Sequence, residues 1–502
     1  MARASGVLLH ISSLPGPFGT GCFGDEAAAV AGQLRAAGFS YWQVLPFSHP
    51  GMGDSPYQSY SAFAGNIYFI DPRQLREENL ISDSDLEEAK YSGPVDKVDF
   101  LWIQQNRNLL LRKAYLNISE EIIKETELFC LVSPWLDDVA LYETIRSLED
   151  GKSWWEWENP KLRMHEAEAL DEIRTKYHSE YFYYCFVQYE FFRQWTRTKE
   201  RINSIGISII GDIPIYVSAD SADVWSNNHL FQMKPDHVFS CIAGVPPDYF
   251  CVDGQLWGNP LYDWDEHAKE GYTWWMQRLA ANFMLFDKIR IDHFRGFCSY
   301  WSVDAHESTA QNGRWEKGPG MDLFRKVAQI FPNSQIIAED LGEIDDAVRE
   351  FLAETGFPGM HVLQFGFDPN ADSTHLPHNY EKNSVAYTGT HDNNTMLGWL
   401  YEASPDDRNF ALQYCNALDI DWKQGGSASL SCRAMLRQVW QSHADLVMAP
   451  IQDLVGYGKD ARMNTPGTPT GNWVFRISQE GIDSMDTNWL RELNSLYRRL
   501  TD

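Results

Sequence analysis

Short apolar or β-branched runs recur along the chain, and each ends at a polar residue, a glycine or a proline. Residues 7–9 lead to His10, 42–45 to Pro46, 207–210 to Gly211-Asp212 and 288–291 to Asp292. Further on, 335–338 lead to Glu339, 359–363 to Gln364, 384–387 to Thr388 and 445–449 to Pro450. These eight runs are read as strands. Helix-like segments separate several of them. Residues 25–37 are Ala-rich, begin with acids suited to a helix N-terminus and stop at Gly38. Residues 267–286, 321–330, 343–354 and 429–442 also read as helices. Strands alternating with helices predict an α/β fold, a (β/α)8 TIM barrel.

Such a barrel needs about 250 residues, and the chain has 502. At about 150 residues per domain three domains would be expected, but the pattern favours a single barrel over 1–502 with large insertions. A charged, helix-rich insertion is expected at 66–200, after the second strand. A loop-rich one is expected at 214–263, after the third, bordering the site. Long loops at the C-terminal ends of barrel strands are where sites are built.

Composition narrows the partners. With 42 Lys+Arg against 70 Asp+Glu the net charge is −28, a field that repels phosphate backbones and anionic lipid. Neither nucleic acid nor a membrane surface is an expected partner. The chain holds 19 Trp, 23 Tyr and 27 Phe. Such rings either stack on a neutral polar ligand such as a sugar or fill a large core. The eight cysteines are scattered, without metal-finger spacing, which fits a reduced, cytoplasmic setting. The apolar run at 7–9 is too short for a signal peptide, and no stretch is long enough to cross a bilayer.

The chemistry lies at the strand ends. In Ile289-Arg290-Ile291-Asp292-His293, Arg290 and Asp292 are two apart and share a face. A guanidinium there favours the ionised form that a carboxylate nucleophile needs; a structural ion pair is the other reading. Glu339 and Asp340 follow the next strand. They point to opposite faces, so one enters the site, and Glu339 has the longer reach to protonate a leaving oxygen. The alternative is an acid-lined helix N-terminus. His391-Asp392 supplies another carboxylate beside an imidazole, or else a helix cap, and Asp212 a fourth acid after the third strand. A barrel brings these ends together. Paired carboxylates with aromatic platforms are the arrangement for glycosidic chemistry.

In this order the motifs resemble the amylomaltase or disproportionating-enzyme family of 4-α-glucanotransferases, glycoside hydrolase family 77 of the α-amylase clan. The resemblance runs from Gly6-Val7-Leu8-Leu9-His10-Ile11-Ser12-Ser13-Leu14-Pro15 through Trp42-Gln43-Val44-Leu45-Pro46 and Asp54-Ser55-Pro56-Tyr57-Gln58. It continues in Gly244-Val245-Pro246-Pro247-Asp248-Tyr249-Phe250, the acid motifs, and Ala461-Arg462-Met463-Asn464-Thr465-Pro466-Gly467, closing near Gly471-Asn472-Trp473. It implies Asp292 as nucleophile, Glu339 as general acid/base and Asp392 as a transition-state grip on sugar hydroxyls. Asp212, Arg290 and His391 would surround the cleaved glucose, with Tyr57 stacked on it. Tyr249, Phe250 and Trp257 would shield the acceptor side, and Gln255, His293 and Asn464 would join the substrate-binding set. The implied reaction retains α configuration on maltooligosaccharides and α-1,4-glucans, without a cofactor or catalytic metal. Two positions depart from many relatives: Met52, two before Asp54, and Phe100, where Tyr is frequent. Both bear on a remote glucan groove in some members.

Three other readings remain at this stage. One is an α-1,4-glucan hydrolase, identical until the acceptor arrives. Another is a metal-dependent barrel using His10, His293 and His391. The third is a non-catalytic glucan-binding protein, which the intact acids oppose. Trp154-Trp155-Glu156-Trp157 and Trp274-Trp275 read as packing, as does Cys298, which has no paired base. Neither His49 nor His229 carries a signal beyond that of a loop residue.

Overall fold

A computed structural model describes residues 3–234, 238–247, 252–342 and 344–501. Its strands in chain order are β1 (Ala4–Leu8), β2 (Tyr41–Gln43), β3 (Ser208–Pro214), β4 (Cys241–Val245), β5 (Gln255–Pro260) and β6 (Lys288–Asp292). They continue with β7 (Ser299–Asp304), β8 (Arg314–Lys317), β9 (Ile336–Ala338), β10 (Gly359–Val362), β11 (Ser384–Tyr387) and β12 (Leu446–Pro450). Eight form a parallel sheet in the order β10-β11-β12-β1-β2-β3-β6-β9. This is the (β/α)8 barrel, and each of the eight expected runs contributes one of its strands. The first and last, β1 and β12, are buried along their whole length, which is why they read as unbroken apolar runs.

The sheet closes between β9 and β10 with help from a side chain. Ala338 N–H donates to the Pro358 carbonyl at 3.0 Å, and Met360 N–H donates to Asp340 Oδ1 at 2.6 Å. A Cβ on Gly359 would sit 2.6 Å from the other Asp340 oxygen, so glycine leaves the carboxylate its room. Burial raises the Asp340 carboxyl to about 6, against the pull of the Met360 N–H. Inside the barrel lie Ile210, Ile337, Val362, Val385, Tyr387 and Met448, all buried.

The helices follow their apolar spacing. Asp25–Ala36 buries Ala27, Val30, Ala31 and Leu34, one stripe of a helix, behind acids in its first turn. Met321–Ile330 forms over the expected residues. Asp346–Thr355 starts at an Asp345 cap, whose side chain accepts from Val348 N–H at 2.9 Å. The single helix expected at 267–286 is instead two, Trp264–Lys269 and Thr273–Leu285. The break falls at Gly271 and Tyr272, both left-handed (φ +64° and +58°), a conformation that ends a right-handed helix. Between β2 and β3 the chain is helical, including Phe100–Leu116, Trp135–Leu148 and His178–Ser204. Within 214–263, where loop was expected, β4 and β5 pair with each other, and β4 pairs with β7 in a four-stranded antiparallel sheet. Trp154, Trp157, Trp274 and Trp275 are buried, as expected of packing residues, whereas Trp155 of the same run is exposed. No described helix is long and apolar enough to cross a membrane.

Gly6 in β1 is a point of close approach: an added Cβ would lie 2.5 Å from Met448 Sδ and 2.8 Å from the Tyr41 carbonyl. Gly6→Ala is expected to destabilise the fold by ~1–3 kcal/mol, read as a lowered urea midpoint at unchanged m-value.

Candidate active site

The third strand runs further than its apolar stretch, to Pro214, so Asp212 lies within β3 rather than after it. In the β3–β6 register Asp212 stands beside Arg290, and the two side chains meet inside the barrel mouth. Arg290 Nη1 donates to Asp212 Oδ2 at 2.6 Å, and Arg290 Nη2 to Asp292 Oδ1 at 2.8 Å. The Arg290 and Asp212 side chains are 4% and 0% exposed and that of Asp292 is 31% exposed. The fork therefore holds one carboxylate in the wall and presents the other to the cleft. Burial raises the Asp212 carboxyl, opposed by Arg290.

The same Asp212 oxygen accepts from the Tyr57 hydroxyl at 2.8 Å. Tyr57 stacks on His391, with centroids 5.1 Å apart and planes at 17°. His391 Nε2 lies 3.3 Å from Asp392 Oδ2, and Asn464 Nδ2 donates to Asp392 Oδ1 at 2.6 Å. One unbroken series of contacts thus joins Asp292, Arg290, Asp212, Tyr57, His391, Asp392 and Asn464.

Glu339 sits at the end of β9 in a different setting. Its carboxylate accepts from His293 N–H at 2.7 Å and Leu341 N–H at 2.9 Å. Burial, then the nearby Asp292 charge, raises it to about 8 in spite of Arg290 and these two donors. The strand ends at Ala338, before both acids, yet they part: Glu339 turns to the site and Asp340 to the β9–β10 seam. After β6 the backbone turns left-handed at His293 (φ +52°) and enters the turn Phe294–Phe297. Burial lowers the His293 imidazole to about 4. Trp257, on β5, meets the His293 ring edge-on at 4.8 Å and donates from Nε1 to Gln255 Oε1 at 3.2 Å. Tyr249 and Phe250 lie outside the described residues, as does the Met52 side chain. Phe100 opens a helix capped by Asp99, whose carboxylate accepts from Trp102 N–H at 3.0 Å.

Two neighbours of the site were not singled out from sequence, although each lies in a quoted motif. Trp473, left-handed at φ +66°, places its ring 5.7 Å from Tyr57 and 5.8 Å from His391. Arg462 donates to the Asp392 carbonyl and to the Asn464 carbonyl, both at 2.7 Å. Among the described residues no group of three or more His, Cys, Asp or Glu is arranged to hold a metal ion. His10 Nδ1 accepts from Leu45 N–H at 3.2 Å.

A family model described as 4-alpha-glucanotransferase matches residues 9–481. The chain belongs to the 4-alpha-glucanotransferase family. It is 43% identical over 504 residues to a 4-alpha-glucanotransferase of Streptococcus pneumoniae, covering 100% of this chain and 98% of the relative. A second, from Aquifex aeolicus, is 42% identical over 505 residues, 99% of each chain. Amylomaltase from Streptococcus agalactiae, solved in complex with acarbose, superposes with a TM-score of 0.95 at 38% identity, covering 99% of this chain and 100% of that one.

Replacing Arg290 by Met strands two carboxylates. Arg290→Met is expected to lose ~3–5 kcal/mol in urea unfolding, and adding Asp212→Leu is expected to restore part of that loss.

Proposed function

We propose that Asp292 is the nucleophile and Glu339 the general acid/base of this 4-α-glucanotransferase, which moves a segment of a 1,4-α-glucan to the 4-hydroxyl of glucose or another glucan. Glu339 protonates the glycosidic oxygen as Asp292 attacks the anomeric carbon, giving a glycosyl-enzyme and a shortened glucan. The acceptor 4-hydroxyl then displaces Asp292, giving its proton to Glu339, so configuration is retained. The observation that carries this assignment is the split environment of the two acids. Asp292 is pinned by a guanidinium, while burial holds the proton on Glu339 up to about pH 8.

Asp392, braced by Asn464 and His391, accepts hydrogen bonds from sugar hydroxyls. Tyr57, Asp212, Arg290 and His391 form the wall around the cleaved glucose. His293, Gln255 and Trp257 lie toward the acceptor, a side that Tyr249 and Phe250 complete on the strength of the family resemblance. Acarbose in the S. agalactiae amylomaltase supports an α-glucan ligand here. The bacterial relatives and scattered thiols support a cytoplasmic setting.

Incubation with maltotriose is expected to give glucose together with a ladder of longer maltooligosaccharides. Glucose released in step with lost glycosidic bonds, with no longer products, would overturn transfer, and unchanged turnover in Asp292→Asn would overturn the nucleophile. A raised Glu339 keeps its proton at neutral pH, so kcat/KM for maltotriose is expected to fall as pH rises past about 8. Glu339→Gln is expected to lose this limb and roughly 10²–10⁴ in rate.

A further inference from the structure

Behind the segment that carries Tyr57 lies a cavity of about 220 Å³ that the mechanism does not use. Its walls come from this segment and from the helices Phe100–Leu116, Trp135–Leu148 and His178–Ser204. Ser59 and Ser61 line both this cavity and the hollow beside Tyr57 and Asp212, so a single thickness of chain separates the two.

The polar groups of the cavity are incompletely used. Glu143 lines it with 25% of its side chain exposed, and its nearest cation is Arg146 at 3.9 Å. No described residue donates a hydrogen bond to that carboxylate. The Arg146 guanidinium lies 4.0 Å over the Tyr60 ring and donates from Nη2 to the Tyr60 hydroxyl at 2.9 Å, while its buried Nε has no partner among the described residues. Asn108 lines the same wall, its side chain already hydrogen-bonded to Tyr68. Opposite stands Tyr183, its ring 3.5 Å below the Arg112 guanidinium, which is itself paired with Glu180.

Each arginine is thus matched by a carboxylate, which disfavours an anionic ligand, and the unused donors and acceptors disfavour an apolar one. At roughly 30 Å³ per water the volume equals about seven waters, the bulk of one pyranose ring. Flat aromatic walls beside unpartnered polar groups suit a ring with apolar faces and a hydroxyl rim. We propose that this cavity is a second sugar site, separate from the catalytic cleft, binding one neutral hexose. Glu143 accepts from its hydroxyls, Arg146 Nε donates to them, and a tyrosine ring covers one face. The inference does not depend on the residue roles assigned to the catalytic cleft.

Calorimetric titration with D-glucose tests it. The expected result is a binding event whose Kd rises at least tenfold in Glu143→Ala and in Arg146→Met and is unmoved by Tyr57→Ala, a change in the catalytic cleft. Thermal midpoints identify the variants that remain folded, and Arg146→Met decides alone if Glu143→Ala does not fold. Absence of glucose binding, binding that survives the folded cavity variants, or binding lost only in Tyr57→Ala would overturn the proposal.

Discussion

Arg290 is a guanidinium enclosed by the barrel, and a buried charge is tolerated only when its partners are fixed around it. Here those partners are Asp212 on the neighbouring strand and Asp292 two residues along its own. Each arm of the fork has one geometry in which it is satisfied, so the Asp292 carboxylate is placed by an electrostatic need deep in the wall. The same need extends outward. Asp212 binds the Tyr57 hydroxyl, Tyr57 lies on His391, and His391 borders Asp392. A platform and a third acid, from parts of the chain far apart, are indexed to one cation.

The second acid obeys the opposite rule. Glu339 has no arginine on its oxygens. It has two backbone donors and a buried position, and burial outweighs the donors. One of those donors is His293 N–H, on the residue where the chain turns left-handed immediately after Asp292. Such a backbone in a residue other than glycine costs about 1–3 kcal/mol, and here it is spent tying the acid to the strand that carries its partner.

Much of this arrangement was legible in the residues. Strands enclosed on both faces must be apolar throughout, and a polar residue ending such a run marks the barrel mouth, so eight strands and three acids could be read directly. Asp212 was placed after its strand because a charge inside a barrel has no local signature. Its partner stands 78 positions later. The pairing of β4 and β5 was hidden for a similar reason, since part of their sheet comes from 299–317. The helix break at Tyr272 and the inward turn of Trp473 rest on left-handed backbones at bulky residues, which residue type alone does not announce. Arg462 acts through the Asp392 carbonyl, a group every residue has.

Asp340 has a consequence for how such a barrel can change. Neighbouring residues just past the end of one strand have two unlike settings: Glu339, the proposed acid/base, faces the site, and Asp340 staples the last gap in the sheet. Because side chains alternate in twos along a strand, sliding β9 by one residue would move both acids that follow it, carrying Asp340 off the Met360 N–H and Glu339 off the His293 N–H. Closure of the seam and the placing of Glu339 therefore share one degree of freedom.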